Sequence, residues 1–223
     1  TARDAANRWT IISNNAGNIA APGNDFYVNN FFNIQILNGG NETDTFLVQS
    51  SAASIFGNGG DDIFEFSNNG TANEINGGTG TNILKGRDQD SIWVMTGANS
   101  GSVSTIATSN YVSSFASIQN LFGSSGSDTL VARNQENSWA ITHLNRGTLS
   151  ATATPTDVIS FEGMENLRGN RGVDLFSFAV NGYVTGLIDG GSSTTQSAIK
   201  DSLDLSALTG ILTVELGNQQ TAA

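Results

Sequence analysis

Residues 55–64 read Ile55-Phe56-Gly57-Asn58-Gly59-Gly60-Asp61-Asp62-Ile63-Phe64, and 20 residues after Ile55 the chain repeats the theme as Ile75-Asn76-Gly77-Gly78-Thr79-Gly80-Thr81-Asn82-Ile83-Leu84. Each stretch places apolar residues on either side of a glycine, asparagine and aspartate cluster. Glycine and asparagine tolerate positive φ, so the cluster reads as a tight turn. The flanks alternate with period two, as in Phe64-Glu65-Phe66, Phe176-Ser177-Phe178 and Ile34-Gln35-Ile36, which is a strand pattern. No segment carries a sustained 3.6-residue apolar stripe. The chain reads as all-β.

Working outward, the same unit recurs at both sides. Ile34 precedes Ile55 by 21 residues. A longer version is anchored by Trp9, Trp93 and Trp139. Each tryptophan is followed at one fixed offset by glycine (Gly17, Gly101, Gly147) and then by Ile19, Val103 or Leu149. Further on come Phe31, Phe115 and Phe161, then Ile34, Ile118 and Met164, then Leu37, Leu121 and Leu167. Gly39, Gly123 and Gly169, Asp44, Asp128 and Asp174, and Phe46, Leu130 and Phe176 complete the match without a gap. Self-similarity of this kind marks a repeat architecture. The tryptophan units span about residues 7–48, 91–132 and 137–178, the short units about 53–66 and 72–86, and an interrupted last unit about 184–217.

Equal spacing is what stacking requires, because it sets Phe on Phe, Ile on Ile and turn on turn. The expected fold is a right-handed parallel β-solenoid or β-roll of about ten coils, roughly 20–23 residues per coil, with 1–223 as one continuous array. Each tryptophan unit would then be two coils. The rival architecture is an antiparallel sandwich or barrel, with Asn38-Gly39, Asn58-Gly59 and Asn76-Gly77 as hairpin turns. A single coil cannot offset the entropy of ordering its own backbone, so the partners first expected are neighbouring repeats.

Composition narrows the functional classes. The 223 residues carry 9 basic and 20 acidic side chains, a net charge of −11. That opposes nucleic-acid binding, which needs a basic footprint, and opposes anionic membrane surfaces. No apolar run is long enough for a membrane span. Cysteine is absent, which removes disulfides and thiolate metal sites. The opening Thr1-Ala2-Arg3-Asp4 has neither an initiator methionine nor a signal peptide, so the chain reads as a piece of something longer or a processed product.

The turn Gly57-Asn58-Gly59-Gly60-Asp61-Asp62-Ile63-Phe64 resembles the glycine- and aspartate-rich nonapeptide of RTX (hemolysin-type) calcium-binding repeats. The other copies depart from it: Asn82 replaces the aspartate, the turns before Asp128 and Asp174 lose the second glycine, and the turn before Asp44 loses the third. The resemblance implies calcium held between loops of successive coils. Asp44, Asp61, Asp62, Asn82, Asp128 and Asp174 are the candidate ligands, the first four coming from consecutive coils. Calcium takes six to eight oxygens, and the motifs here lack tandem nonapeptide spacing. The competing expectation is that these side chains bond their own turn backbones.

The longer pattern, from Trp139-Ala140-Ile141 through Phe161-Glu162-Gly163-Met164 to Asp174-Leu175-Phe176, is similar to repeats of giant bacterial secreted and surface proteins, including RTX adhesins and filamentous-haemagglutinin-like adhesins. That resemblance implies secretion or display on the bacterial cell surface and a non-enzymatic stalk role. An alternative is a fibre subunit that associates end to end. A third is a β-helix enzyme acting on polysaccharide, for which Lys85, Arg87, Asp88 and Asp90 form the densest charged cluster. His143 is the only histidine and reads as a surface residue. The tryptophans read as core packing rather than sugar platforms, because they share one repeat position. Thr-x-Thr pairs at Thr43/Thr45, Thr79/Thr81 and Thr152/Thr154 do not share one, which weighs against an ice-binding face.

Overall fold

The computed structural model describes residues 4–209 except 24, 68, 108 and 192–199. The interruption of the last unit at 192–199 and the end of that unit beyond residue 209 therefore lie outside the described residues. Strands occur at β1 (Arg8–Ser13), β2 (Ala16–Ala20), β3 (Phe26–Phe31), β4 (Ile36–Asn38), β5 (Thr45–Val48), β6 (Ser51–Phe56) and β7 (Ile63–Phe66). They continue at β8 (Thr71–Asn76), β9 (Ile83–Lys85), β10 (Ser91–Gly97), β11 (Ser100–Thr105), β12 (Asn110–Ala116), β13 (Asn120–Phe122) and β14 (Thr129–Val131). The rest are β15 (Asn137–His143), β16 (Arg146–Ala151), β17 (Ile159–Glu162), β18 (Asn166–Arg168), β19 (Asp174–Phe178), β20 (Ile188–Asp189) and β21 (Ser202–Asp204). Among the described residues there is no helix.

These 21 strands form a twelve-stranded and a nine-stranded sheet, mostly parallel, and neither closes into a barrel. From β3 to β10 the chain changes sheet at every turn. Strands β4 to β7 therefore each meet, two strands later, a neighbour running the same way. The Asn-Gly sequences at residues 38–39, 58–59 and 76–77 make these crossings between sheets, not hairpins. Parallel register sets like on like. Trp9 pairs with Phe46, Phe46 with Phe64, and Phe64 with Leu84. On the other sheet Leu37 pairs with Ile55 and Ile55 with Ile75. The rings of Trp9 and Phe46 stack at 5.4 Å, and those of Phe46 and Phe64 at 5.2 Å. Both rows face one continuous apolar core between the sheets.

The tryptophan units differ from the expectation of two parallel coils. Each starts with a three-stranded antiparallel meander: β1–β3, β10–β12 and β15–β17. Two features of the unit force this. The first two strands are joined by two-residue loops, Asn14-Asn15, Ala98-Asn99 and Leu144-Asn145, whose second residues sit at φ 50°, 51° and 50°. Asparagine accepts that left-handed conformation. Next, the repeat glycine stands directly across from the repeat phenylalanine: Gly17 from Phe31, Gly101 from Phe115, and Gly147 from Phe161. At Gly101 a Cβ would come within 2.7 Å of the Phe115 ring, so the glycine makes room for the aromatic side chain that covers it.

A meander begins and ends in one sheet, so it counts as a single step of the alternation. An odd number of crossings separates the second meander from each of the others. Trp9 and Trp139 accordingly lie in the twelve-stranded sheet and Trp93 in the nine-stranded one. All three are buried, with 4%, 0% and 0% exposure.

Candidate functional site: a ladder of buried carboxylates

The aspartates that the turn motif singles out face inward. Asp44, Asp62, Asn82, Asp128 and Asp174 are all fully buried, while Asp61 is exposed. Each buried side chain occupies the space left by the glycine five residues before it. A Cβ on Gly123 would lie 2.6 Å from Asp128 Oδ2, and one on Gly39 would lie 2.5 Å from Asp44 Oδ2. Gly57 with Asp62, Gly77 with Asn82 and Gly169 with Asp174 repeat the arrangement. Gly190 and Asp201 form a sixth seat, 2.5 Å by the same measure, although the insertion separates them in sequence.

From its seat each side chain bonds the backbone of the neighbouring unit. The Asp44 N–H donates to Asp62 Oδ1 at 2.8 Å, and the Asp62 N–H to Asn82 Oδ1 at 2.9 Å. The ladder is continued at one end by Asn7, whose N–H donates to Asp44 Oδ1 at 2.8 Å. At the other end Gln119 Oε1 accepts the Asn82 N–H at 2.7 Å. A second ladder has Asp128 at its centre: Glu165 Oε2 accepts its N–H at 2.8 Å, and the Trp93 indole donates to its Oδ1 at 3.4 Å. In the third, Asn137 Nδ2 donates to Asp174 Oδ1 at 2.7 Å, and the Asp174 N–H to Asp201 Oδ1 at 2.9 Å. The structure thus brings Asp44, Asp62 and Asn82 together and sets Asp128 and Asp174 in ladders of their own.

The sequence reading missed the ladder ends. Asn7, Ser91 and Asn137 all stand two residues before a tryptophan, and Gln35, Gln119 and Glu165 all follow the Ile/Ile/Met position. The self-alignment carries both signals, as polar positions at or just before the first residue of a strand.

One carboxylate oxygen is left over at most seats. Oδ2 of Asp62, Asp128 and Asp174 has no hydrogen-bond partner. Burial pushes the carboxyls of Asp62, Asp128 and Asp174 up to about 7, and raises Asp44 as well. The bonds from Asp44 N–H to Asp62 and from Asn137 to Asp174 oppose the rise but do not cancel it. Asn82 shows what the seat prefers, because its Nδ2 donates to Ser117 O at 3.0 Å. The corresponding neighbour of the Asp62 seat is Gly77 O, beside the space that Asp62 Oδ2 fills. A protonated Oδ2 can make the bond that Asn82 makes.

A cation is less well served. The Asp62, Asp128 and Asp174 seats each offer one free carboxylate oxygen and an adjacent carbonyl, against the six to eight oxygens calcium takes. At Asp44 the second oxygen already accepts the Gly40 N–H at 2.7 Å. Asn82 turns an N–H into the same space. Among the described residues no three His, Cys, Asp or Glu side chains gather into a metal-holding group. Asp61 Oδ1 accepts the Thr81 N–H at 2.6 Å across the outer rim of the turn.

The charged cluster at residues 85–90 is distributed among structural contacts. Arg87 is buried, donates through Nε to Gly70 O at 3.0 Å, and lies 4.4 Å from the Tyr111 ring centre. Asp88 Oδ1 accepts the Ser125 hydroxyl at 3.1 Å, Asp90 Oδ1 accepts the Ser127 N–H at 2.8 Å, and Lys85 pairs with Glu65 at 3.5 Å. His143 is exposed beside a hairpin loop. Fold and site together define an all-β repeat protein whose recurring polar residues tie one unit to the next. No family model, curated protein or solved structure matches the chain.

Proposed function

We propose that the chain is a β-solenoid rod, a non-enzymatic stalk segment of a large bacterial protein secreted or displayed on the cell surface. In this reading residues 1–223 form one right-handed array of about ten coils of roughly 20–23 residues. The observation that carries it is the like-on-like parallel register, Trp9 to Phe46 to Phe64 to Leu84, joined by the buried ladder. A repeated inward-facing polar residue that bonds the neighbouring unit is a device for making length. The resemblance to RTX and haemagglutinin-type repeats supports the location and the adhesin-related role. The contacts of Lys85, Arg87, Asp88 and Asp90 with neighbouring strands and turns support a structural rather than a catalytic use of that cluster.

Deleting whole coils tests the proposal. Removing residues 57–76 takes out β7 and β8, one strand from each sheet, and joins Phe56 to Gly77, which already occupies the equivalent place beside Gly57. The shortened chain is expected to keep its β circular dichroism and a cooperative melt, while removal of 57–66 alone, half a coil, abolishes both. Equal collapse of the two deletions would overturn the rod. Calcium is checked in parallel: calorimetry with millimolar Ca²⁺ is expected to show no heat of binding, and chelator is expected to leave the melt unmoved.

A further inference from the structure

Gly59 opens a gap in a column of turns. Its N–H donates to Gly40 O at 3.1 Å, and the Thr79 N–H donates to Asn58 O at 2.7 Å. Asn41, Gly59 and Thr79 therefore follow one another up the stack, one from each of three consecutive units. Asn41 and Thr79 are exposed and carry side chains, whereas Gly59 carries none. The space this leaves is a groove of about 320 Å³, lined among others by Asn41, Phe56, Asn58, Asn76 and Thr79.

Phe56 is the apolar part of that lining. Ile55 before it is buried in the core, so Phe56 points to the outer face of the nine-stranded sheet. There it stands half-buried between Asn38 and Asn76, its partners in register. The polar lining is amide and hydroxyl, with no charged side chain. The side-chain amides of Asn41 and Asn58 make no hydrogen bond with the described residues. Asn76 Oδ1 accepts the Gly78 N–H at 3.0 Å, which leaves its Nδ2 to donate outward. The Thr79 hydroxyl donates to Asn58 O at 3.4 Å and can still accept. Phe122 precedes Gly123 as Phe56 precedes Gly57, but its groove is different. That groove measures about 200 Å³ and is lined by the Arg146–Glu162 ion pair.

We propose that the Phe56 groove binds a neutral saccharide of mono- or disaccharide size. A pyranose ring has an apolar C–H face and a rim of hydroxyls that both donate and accept. The C–H face packs on the Phe56 ring, and the hydroxyls meet the amides of Asn41, Asn58 and Asn76, which supply donors and acceptors together. Volumes from about 300 Å³ upward are those of small-molecule sites. An acidic sugar finds no cation in this groove and is repelled by the net charge of −11. The inference goes beyond the stalk reading and needs only the register of three consecutive units.

The test is an NMR titration of the full chain with glucose, galactose, mannose, N-acetylglucosamine and their disaccharides, with glucuronate as the charged comparison. Saturable shifts are expected at the amides of Asn41, Gly59 and Thr79 with a neutral sugar, and none with glucuronate. Phe56→Asn is expected to weaken that binding about tenfold through the lost apolar contact. Asn58→Gly is expected to weaken it about threefold, the loss of a hydrogen bond. Both replacements already occur in neighbouring units, since asparagine flanks Phe56 on either side and Gly78, at φ 81°, follows Asn58, at φ 76°. Their melts are expected to stay close to that of the parent. Phe122→Asn, on the other sheet, is expected to titrate as the parent does. Silence of the three amides toward every neutral sugar, tighter binding of glucuronate, or parental binding by Phe56→Asn would overturn the proposal. The rod reading fails separately, through the coil deletions above.

Discussion

The run from β4 to β9 and the meanders at β10–β12 and β15–β17 lengthen the same stack by different means. In the first, every unit adds one strand to each sheet, and neighbouring units touch through glycine seats and the side chains that fill them. In the second, the chain adds three strands to one sheet before it crosses, and a tryptophan, a glycine and a phenylalanine interlock within the unit. Trp139 meets Phe161 edge-on at 5.9 Å and stacks on Phe176 at 5.4 Å. Coils therefore depend on backbone ties between units, and meanders on packing within them.

The comparison is broken most severely at the tryptophan. Trp139→Ala removes a fully buried ring from between two aromatic neighbours and leaves its Asp174 ladder without a wall. Urea unfolding is expected to show a loss of about 3–5 kcal/mol, the usual cost of such a truncation. A loss below 1 kcal/mol would mean that the meander does not depend on its ring cluster. Next in size is the seat. In Gly123→Ala the new methyl lands 2.6 Å from Asp128 Oδ2 and against the Gly163 carbonyl. About 2–3 kcal/mol is expected from overpacking. Asp128→Ala made together with it is expected not to recover that loss, since the Gly163 carbonyl 2.0 Å from the methyl remains in place.

The carboxyls give the coils a pH dependence that the meander packing lacks. In the folded chain Asp62, Asp128 and Asp174 titrate near 7, above the ordinary 3.8. Protons are therefore held more tightly folded than unfolded. Stability is greatest below about pH 4, falls as pH rises toward 7, and levels off above it. Thermal melts are expected several degrees lower at pH 8 than at pH 5. Net charge −11 drives the same trend through self-repulsion, so the decisive comparison is Asp62→Asn. Asparagine fills the seat at Asn82 already, and Asp62→Asn is expected to raise stability at pH 8 by about 1–2 kcal/mol while changing little at pH 4. An equal effect at both pH values would remove the protonated carboxyl from the ladder.

How much of this was legible in the residues follows from what repeats and why. The Phe46, Phe64, Leu84 row and the Leu37, Ile55, Ile75 row were readable because parallel pairing aligns equal positions and leaves a constant spacing. The glycine–aspartate pairs were readable as a motif. Their inward direction was not, because the same letters serve an exposed metal loop and a buried backbone tie. The meanders escaped notice for a related reason. Asn15, Asn99 and Asn145 share one repeat position but follow Asn, Ala and Leu, so no Asn-Gly signature marks the hairpins. The Asn-Gly pairs that do occur carry the chain between sheets.

Those three hairpins sharpen the comparison at its smallest scale. Asn15, Asn99 and Asn145 adopt the same left-handed conformation, so replacing any of them with alanine incurs about 1 kcal/mol of backbone strain. Their side chains differ. Asn99 Oδ1 has no hydrogen-bond partner, whereas Asn145 donates to Glu165 Oε1 at 2.9 Å and accepts the Thr185 N–H at 2.9 Å. Asn99→Ala is expected to cost about 1 kcal/mol and Asn99→Gly close to nothing. Asn145→Ala is expected to cost about 2–3 kcal/mol, and Asn145→Gly only about 1 kcal/mol less, because glycine relieves the φ angle but not the lost bonds. Glu165 also holds the Asp128 N–H through its other oxygen. Asn145→Gly is thus expected to speed amide exchange at Asp128, on the far side of a sheet crossing, while Asn99→Gly leaves that amide unchanged. Equal exchange in the two variants would show that hairpin and ladder are independent, and that coils and meanders are coupled through the apolar core alone.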